Sequence, residues 1–206
     1  KLAALAGMAV AASGSTMAVR RVWAGPDVDL EGGVSPDGRY VSFVDWSTGD
    51  LAIRDLVRGE TRRLTTNAAG AEEFADFAAF SPDGTQLAYA WCDKNGLYDL
   101  RAVATAGSEP RVIYRSEDVN YLMPQAWSRD GKYILSIVNQ KKAKGFQIAM
   151  VSTTDGSVRR LKSVDWRFPH MSLSPDRRWI AFDYAQDTSP GEYDIYLLAT
   201  DGTREI

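Results

Sequence analysis

Ser35-Pro36-Asp37-Gly38, Ser81-Pro82-Asp83-Gly84, Ser128-Arg129-Asp130-Gly131 and Ser174-Pro175-Asp176-Arg177 are four versions of one tetrapeptide, and they start 46, 47 and 46 residues apart. Each version carries turn chemistry. Ser and Asp oxygens bond nearby backbone N–H groups, Pro pre-sets φ, and Gly accepts the positive φ that closes a tight connection. Arg177 stands in the glycine position of the fourth copy, so a different turn is expected there.

Working outward, each turn is followed by an apolar triplet in matching register: Val41-Ser42-Phe43, Leu87-Ala88-Tyr89, Ile134-Leu135-Ser136 and Ile180-Ala181-Phe182. A period of two sends neighbours to opposite faces of a strand. The outer positions therefore put bulk on one face, while Ser42, Ala88 and Ala181 keep the other thin enough for a second sheet to approach. The third copy exchanges the sizes of Leu135 and Ser136, a swap that roughly conserves volume.

Further strands are expected at Leu51–Leu56, Leu100–Ala104, Ile148–Ser152 and Ile195–Ala199, preceded by Asp50, Asp99, Gln147 and Asp194. Gly59, Gly107, Gly156 and Gly202 then open final strands at 61–64, 110–113, 158–161 and 203–206. An apolar stretch ending at Val34, Phe80, Trp127 or Leu173 precedes each turn, which gives four short strands per repeat. Antiparallel units of this length and strand count fit propeller blades, each buried on both faces by its neighbours. A β-sandwich explains short strands but not the return of one motif at a fixed interval. The expected fold is an all-β propeller of four consecutive four-stranded blades, at about 27–67, 68–117, 118–164 and 165–206.

These turns, the Val-x-Phe and Leu-x-Tyr strands, and the ending Gly59-Glu-Thr-Arg-Arg-Leu-Thr65 resemble TolB-like propeller repeats, distant relatives of the WD-repeat family. The resemblance covers about residues 27–206. It implies a ring of about six to eight blades, so that these four are an incomplete part of a larger whole with an open edge. Residues 20–26, with Arg20-Arg21-Val22-Trp23-Ala24, resemble an outer strand that closes such a ring. Relatives include TolB itself, tricorn-type and prolyl-oligopeptidase-type peptidases, and extracytoplasmic parts of membrane-bound regulators. The turn is structural and carries little information about ligands.

Composition narrows the function. The 206 residues are 45% hydrophobic and 25% charged, with a formal charge of −3, so the electrostatic footprint of a nucleic-acid binder is missing. The single cysteine, Cys92, excludes an intrachain disulfide and a Cys-based zinc site, and among apolar neighbours it reads as inert packing. Residues 1–19 contain the apolar run Leu2–Ala12 after Lys1. That run reads as a signal-peptide remnant with Ala9-Val10-Ala11 near its end, as the end of a membrane anchor, or as a segment folded onto the domain. The first two readings place the remainder in the periplasm or otherwise outside the cytoplasm, with membrane attachment as one option.

Catalytic chemistry has few candidates. There is no Gly-x-Ser-x-Gly elbow. The only histidine, His170, lacks partner histidines and a recognisable nucleophile, and is expected in the channel wall. Gly33-Val-Ser-Pro-Asp-Gly38 imitates a phosphate loop but continues Arg39-Tyr40 instead of Lys-Ser or Lys-Thr. Asp27-Val-Asp29-Leu-Glu31-Gly32 resembles half a calcium loop, yet Gly38 occupies the place of the closing Glu. No catalytic residue, metal site or cofactor is expected within these residues.

The connections between successive blades gather on one propeller face around the channel mouth. They carry Asp27, Asp29, Glu31, Glu72, Glu73, Asp76, Glu117, Asp118 and Asp165 beside Phe74, Tyr121 and Trp166, with Arg115 and Arg167 as nearby cations. Converging carboxylates with exposed aromatics suit a cationic protein or peptide segment, and Asp29, Glu31, Glu72, Glu73, Asp76, Tyr121 and Trp166 are the expected contacts. The plain alternative is that loops are polar because water surrounds them. A non-catalytic recognition scaffold is the leading reading. The competing readings are an access-controlling propeller of a serine peptidase whose catalytic domain lies elsewhere, and the sensor of a membrane-bound regulator.

Overall fold

A computed structural model describes residues 19, 21–25, 32–68, 70–164, 169–184 and 194–206. Among these there is no helix, and the strands are β1 (Tyr40–Asp45), β2 (Asp50–Asp55), β3 (Thr61–Arg63), β4 (Phe74–Phe80), β5 (Gln86–Cys92), β6 (Tyr98–Ala104), β7 (Arg111–Arg115), β8 (Val119–Trp127), β9 (Tyr133–Gln140), β10 (Phe146–Ser152), β11 (Val158–Val164), β12 (Met171–Leu173), β13 (Trp179–Tyr184) and β14 (Asp194–Ala199). They form four antiparallel meanders, β1-β2-β3, β4-β5-β6-β7, β8-β9-β10-β11 and β12-β13-β14. Blades 2 and 3 are complete. Among the described residues, a Val34–Val41 bridge marks the innermost strand of blade 1, and in blade 4 the outermost strand is a Leu198–Glu205 bridge.

The turns follow their side-chain chemistry closely. Ser35 Oγ donates to Asp37 Oδ1 at 2.5 Å, the Arg39 N–H donates to the same oxygen at 3.0 Å, and the Tyr40 N–H donates to Ser35 Oγ at 2.8 Å. Ser81/Asp83, Ser128/Asp130 and Ser174/Asp176 repeat this arrangement. The serine hydroxyl and backbone N–H hold all four Asp carboxyls below the ordinary carboxylate range. The fourth turn does not differ as expected. Arg177 adopts φ 57° beside the 69–71° of Gly38, Gly84 and Gly131, and its N–H reaches Ser174 O at 2.8 Å. Its guanidinium donates to the Trp127 carbonyl of blade 3, a contact that no glycine could make.

Strand alternation assigns each side chain to a neighbour. Ser42 and Val44 of β1, with Leu51 and Ile53 of β2, face blade 2 and are at most 3% exposed. The equivalent residues by register are Ala88, Ala90, Leu100 and Ala102 in blade 2, and Leu135, Ile137, Ile148 and Met150 in blade 3. They are buried to the same degree. Three apolar clusters result, one per junction: Val44, Leu51 and Ile53 with Leu87, Tyr89 and Trp91; Ala88 and Leu100 with Trp127 and Ile134; Leu135 and Met150 with Ile180 and Phe182. Each fully buried large side chain contributes on the order of 1.5–3 kcal/mol. Leu135 thus supplies toward blade 4 the bulk that Ser136 lacks on the opposite face.

Polar contacts also cross the junctions. The Trp127 indole N–H donates to Ala79 O at 2.9 Å. On the circumference, Arg62, Arg111 and Arg159 donate to the carbonyls of Thr105, Thr153 and Thr200 in the following blade, the second at 2.9 Å. The hydroxyls of those threonines in turn bond carbonyls beside the Ser-Asp turns. Residues 21–25 form no strand; Trp23 instead packs edge-on against Phe43 of blade 1, 4.8 Å between ring centres, with Arg54 over its face. Among the described residues, no helix is long and apolar enough to cross a membrane. The apolar run 2–12 lies outside them.

Candidate functional site

The connection from blade 1 to blade 2 is fixed by a buried carboxylate. Asp50, 2% exposed, accepts from Thr65 Oγ1 and from the Asn67 N–H, both at 2.9 Å. Asn67 Nδ2 then donates to Glu73 O at 2.9 Å and to Thr48 O at 3.0 Å. Gly49 closes the arrangement, because a Cβ there would stand 2.6 Å from Glu73 O. Glu72 is thereby exposed and Glu73 half-buried at the edge where the connection enters β4.

Asp76 departs from the expected open rim. It is 6% exposed because it lies within β4, opposite the buried Ala90 of β5, and β4 carries a bulge directly after it, between Asp76 and Ala78. A bulge adds a residue to one strand and re-aims the side chains around it. Phe77, the extra residue, has φ 40°, a backbone region that costs a non-glycine residue about 1–3 kcal/mol. β8 bulges between Val119 and Tyr121, and the two irregular segments meet: the Phe77 and Tyr121 rings lie edge-to-face at 6.0 Å, and Tyr121 and Tyr98 at 4.8 Å. Pro124 fits β8 because this strand is the innermost edge of its sheet.

Behind these rings lies Cys92, 6% exposed, whose Sγ approaches Asp93 O at 3.7 Å. Burial first, then the negative charges of Asp93, Asp76 and Glu73, push its thiol up, against a hydrogen bond with Tyr98 that pulls it down. Burial likewise raises the Tyr98 hydroxyl far above the ordinary phenol range, reinforced by Cys92, Asp76 and Tyr121. The thiol is therefore a neutral packing group, as its apolar surroundings in the sequence indicated.

Of the expected contacts, the structure thus gathers Glu73, Asp76 and Tyr121 around one cluster, with Glu72 beside them. Glu117 and Asp118 are exposed in the connection to blade 3, and Asp118 lies 3.9 Å from Lys142. Phe74 packs against Trp46, and Arg115 is engaged by Asp93 and Asp99 instead of standing free. Asp27, Asp29, Glu31, Asp165, Trp166 and Arg167 lie outside the described residues. Sequence reasoning read Cys92 as packing but missed Phe77 and Tyr98, because which aromatics meet across a blade junction leaves no local composition signal.

His170 precedes β12 and is not part of a strand. Its side chain is 77% exposed, with Nδ1 3.0 Å from Asp183 Oδ2 and its backbone N–H donating to Asp183 Oδ1 at 2.7 Å. Among the described residues, no group of His, Cys, Asp and Glu is arranged to hold a metal ion. A lateral groove of about 660 Å³ runs between blades 1 and 2, past Thr66, Glu72, Tyr89, Trp91 and Arg101. Here β3 spans three residues, Thr61–Arg63, where its counterpart β11 spans seven. Arg101 stacks on Trp91 at 4.6 Å and binds Asp99, which closes the aromatic floor of the groove.

No protein-family model matches the chain, and no curated protein matches it in sequence. Solved structures do. A protein described as TolB from Agrobacterium tumefaciens superposes with a TM-score of 0.71 at 23% identity, covering 90% of this chain and 63% of that one. TolB from Acinetobacter baumannii gives 0.67 at 20% identity, over 89% and 44% of the two chains. The oligogalacturonate lyase of Vibrio parahaemolyticus gives 0.68 at 17%, over 90% and 54%. The chain spans between 44 and 63% of the length of these neighbours, and the shared feature is the TolB-like propeller fold.

Proposed function

We propose that this protein is a non-catalytic, extracytoplasmic propeller that recognises a protein or peptide through the acidic, aromatic rim of its channel mouth. The observation that carries the reading is the convergence of Glu73, Asp76 and Tyr121 on the Phe77–Tyr121–Tyr98 cluster, with Glu72 exposed beside it. Exposed carboxylates attract a cationic segment over a Debye length of about 8–10 Å, and the aromatic edges supply contact area at low entropic cost. The extracytoplasmic location rests on the apolar start of the sequence, and attachment to a membrane through that start belongs to the same reading.

The test is a binding titration of a Lys/Arg-rich peptide library at two salt concentrations, with the charge reversals Glu72→Lys and Glu73→Lys. Weaker binding in both variants and at high salt supports the rim. Affinity unchanged by either reversal removes it. Asp76→Asn is the third variant, because a reversed charge at a buried position would disturb folding as well as binding.

A second reading, the access-controlling propeller of a hydrolase, draws on the same fold. It differs in requiring a catalytic domain joined to these blades, and the flanking coding sequence separates the two readings.

A further inference from the structure

The groove between blades 1 and 2 has a floor unlike that of the other junctions. By register its centre is Tyr89 beside Arg101 and Trp91 beside Asp99, whereas the same positions hold Ser136, Ala149, Val138 and Gln147 in blade 3 and Phe182, Tyr196, Tyr184 and Asp194 in blade 4. Outer-strand residues reach the other two floors, Ile113 of β7 clustering with Val151, and Val164 of β11 with Phe182. From blade 1 the corresponding residue is Leu64.

The floor is also chemically unfinished. Tyr89 and Asp99 are both 0% exposed, and Tyr89 Oη and Asp99 Oδ1 are each buried without a hydrogen-bond partner. Asp99 Oδ2, by contrast, takes three N–H groups, two from Arg101 and one from Arg115. Burial pushes the Tyr89 phenol up to about 12 against the charge of Arg101, so its proton stays on at neutral pH. A guanidinium only donates, and Arg101 therefore cannot accept that proton. One acceptor and one donor are lacking, each costly to leave unmet. A carboxylate or phosphate supplies acceptors alone, whereas a backbone amide supplies both. A sugar ring would need an open aromatic face, and Arg101 covers Trp91.

We propose that this groove seats an extended peptide segment whose backbone amides complete the Tyr89–Asp99 floor and which carries a Lys or Arg toward each end. The floor along Asp99–Ala104 of β6 is about 20 Å long at about 3.3 Å per residue, room for about six extended residues. The β5–β6 turn lies on the face of the interblade connections and the β6–β7 turn on the opposite one, so Glu72, Glu73 and Lys94 stand at one end of the groove and Ser108 and Glu109 at the other. Arg101 is held by Asp99, which leaves the carboxylates of the two ends in excess over Lys94 and calls for basic residues there. The inference rests on the cationic partner proposed above, and differs in sending it outward along the side of the blades instead of into the channel.

Titration of the acetylated, amidated hexapeptide Lys-Ala-Ala-Ala-Ala-Arg into isotope-labelled protein, followed by NMR, tests the proposal. Shifts at Thr66, Lys94 and Ser108 are expected, with affinity about fivefold weaker in Tyr89→Phe and about tenfold weaker in Glu109→Lys. Tyr89→Phe also removes a buried orphan hydroxyl, so its thermal midpoint should not fall, which separates lost recognition from lost stability. Shifts confined to Phe77 and Tyr121 overturn the groove and leave the channel-mouth reading standing. Affinity unchanged in Tyr89→Phe also overturns it, because water then completes the floor. A peptide that shifts neither set overturns both.

Discussion

Replacing Trp127 by Phe removes one indole N–H from a junction between blades and tests whether those junctions determine stability. Trp127 is 2% exposed and its Nε1 donates to Ala79 O at 2.9 Å. The substitution leaves that carbonyl without its partner, at about 1–3 kcal/mol for a buried orphan acceptor. It also withdraws roughly 40 Å² of apolar surface, worth about 1 kcal/mol at about 25 cal/mol per Å². The sum is about 2–4 kcal/mol. For a chain of this size about 1 kcal/mol moves the midpoint by about 2–4 °C, so a fall of about 4–16 °C is expected. Thermal unfolding followed by far-UV circular dichroism measures it, with Trp46→Phe as the control because Trp46 is 57% exposed. A Trp127→Phe midpoint within a degree of the control would refute the idea that blade junctions hold this fold together.

Further outcomes follow from single contacts. Ser136 Oγ is buried without a hydrogen-bond partner, so Ser136→Ala should be neutral or stabilising by up to about 1 kcal/mol in urea denaturation. Gly156 and Gly131 both have positive φ, near 70°, but a Cβ at 156 would stand 2.3 Å from Ile113 O while one at 131 meets open space. Gly131→Ala should therefore cost about 1–2 kcal/mol and Gly156→Ala clearly more in the same assay. Hydrogen bonds from Arg39 and from the backbone of Arg58 and Val57 lower the Asp55 carboxyl to about 2. A depressed folded pKa stabilises above the unfolded value near 3.9 and is lost as pH falls toward about 2, so Asp55→Asn should flatten acid unfolding in that window. Cys92 should resist alkylation until the protein is unfolded, and rapid native labelling would contradict its burial.

The fold was legible because its decisive signals are local. A Ser-x-Asp turn is closed by atoms within five residues of one another, so four copies announce four turns whatever surrounds them. Alternation then fixed which side of each strand faces which neighbour. The same logic erred at Arg177, where a side-chain contact to the preceding blade coexists with left-handed backbone in a non-glycine residue. It erred at Asp76 for a different reason. Counting loop carboxylates treats them as solvated, but β4 already includes this one, and its place opposite Ala90 buries it. Charge content is visible in sequence, whereas the depth of a charge depends on where a strand begins and which residue the partner strand sets opposite it.

The arginine-to-threonine contacts on the circumference, from Arg62, Arg111 and Arg159, tie a blade to its immediate successor and to nothing farther away. Such an array behaves as a one-dimensional chain of coupled units, where duplication or loss of a module leaves the remaining junctions chemically unchanged. Evolution can therefore lengthen or shorten the series by whole modules without redesigning any of them. The number of modules is then governed by the wedge angle at which each sheet leans on the next.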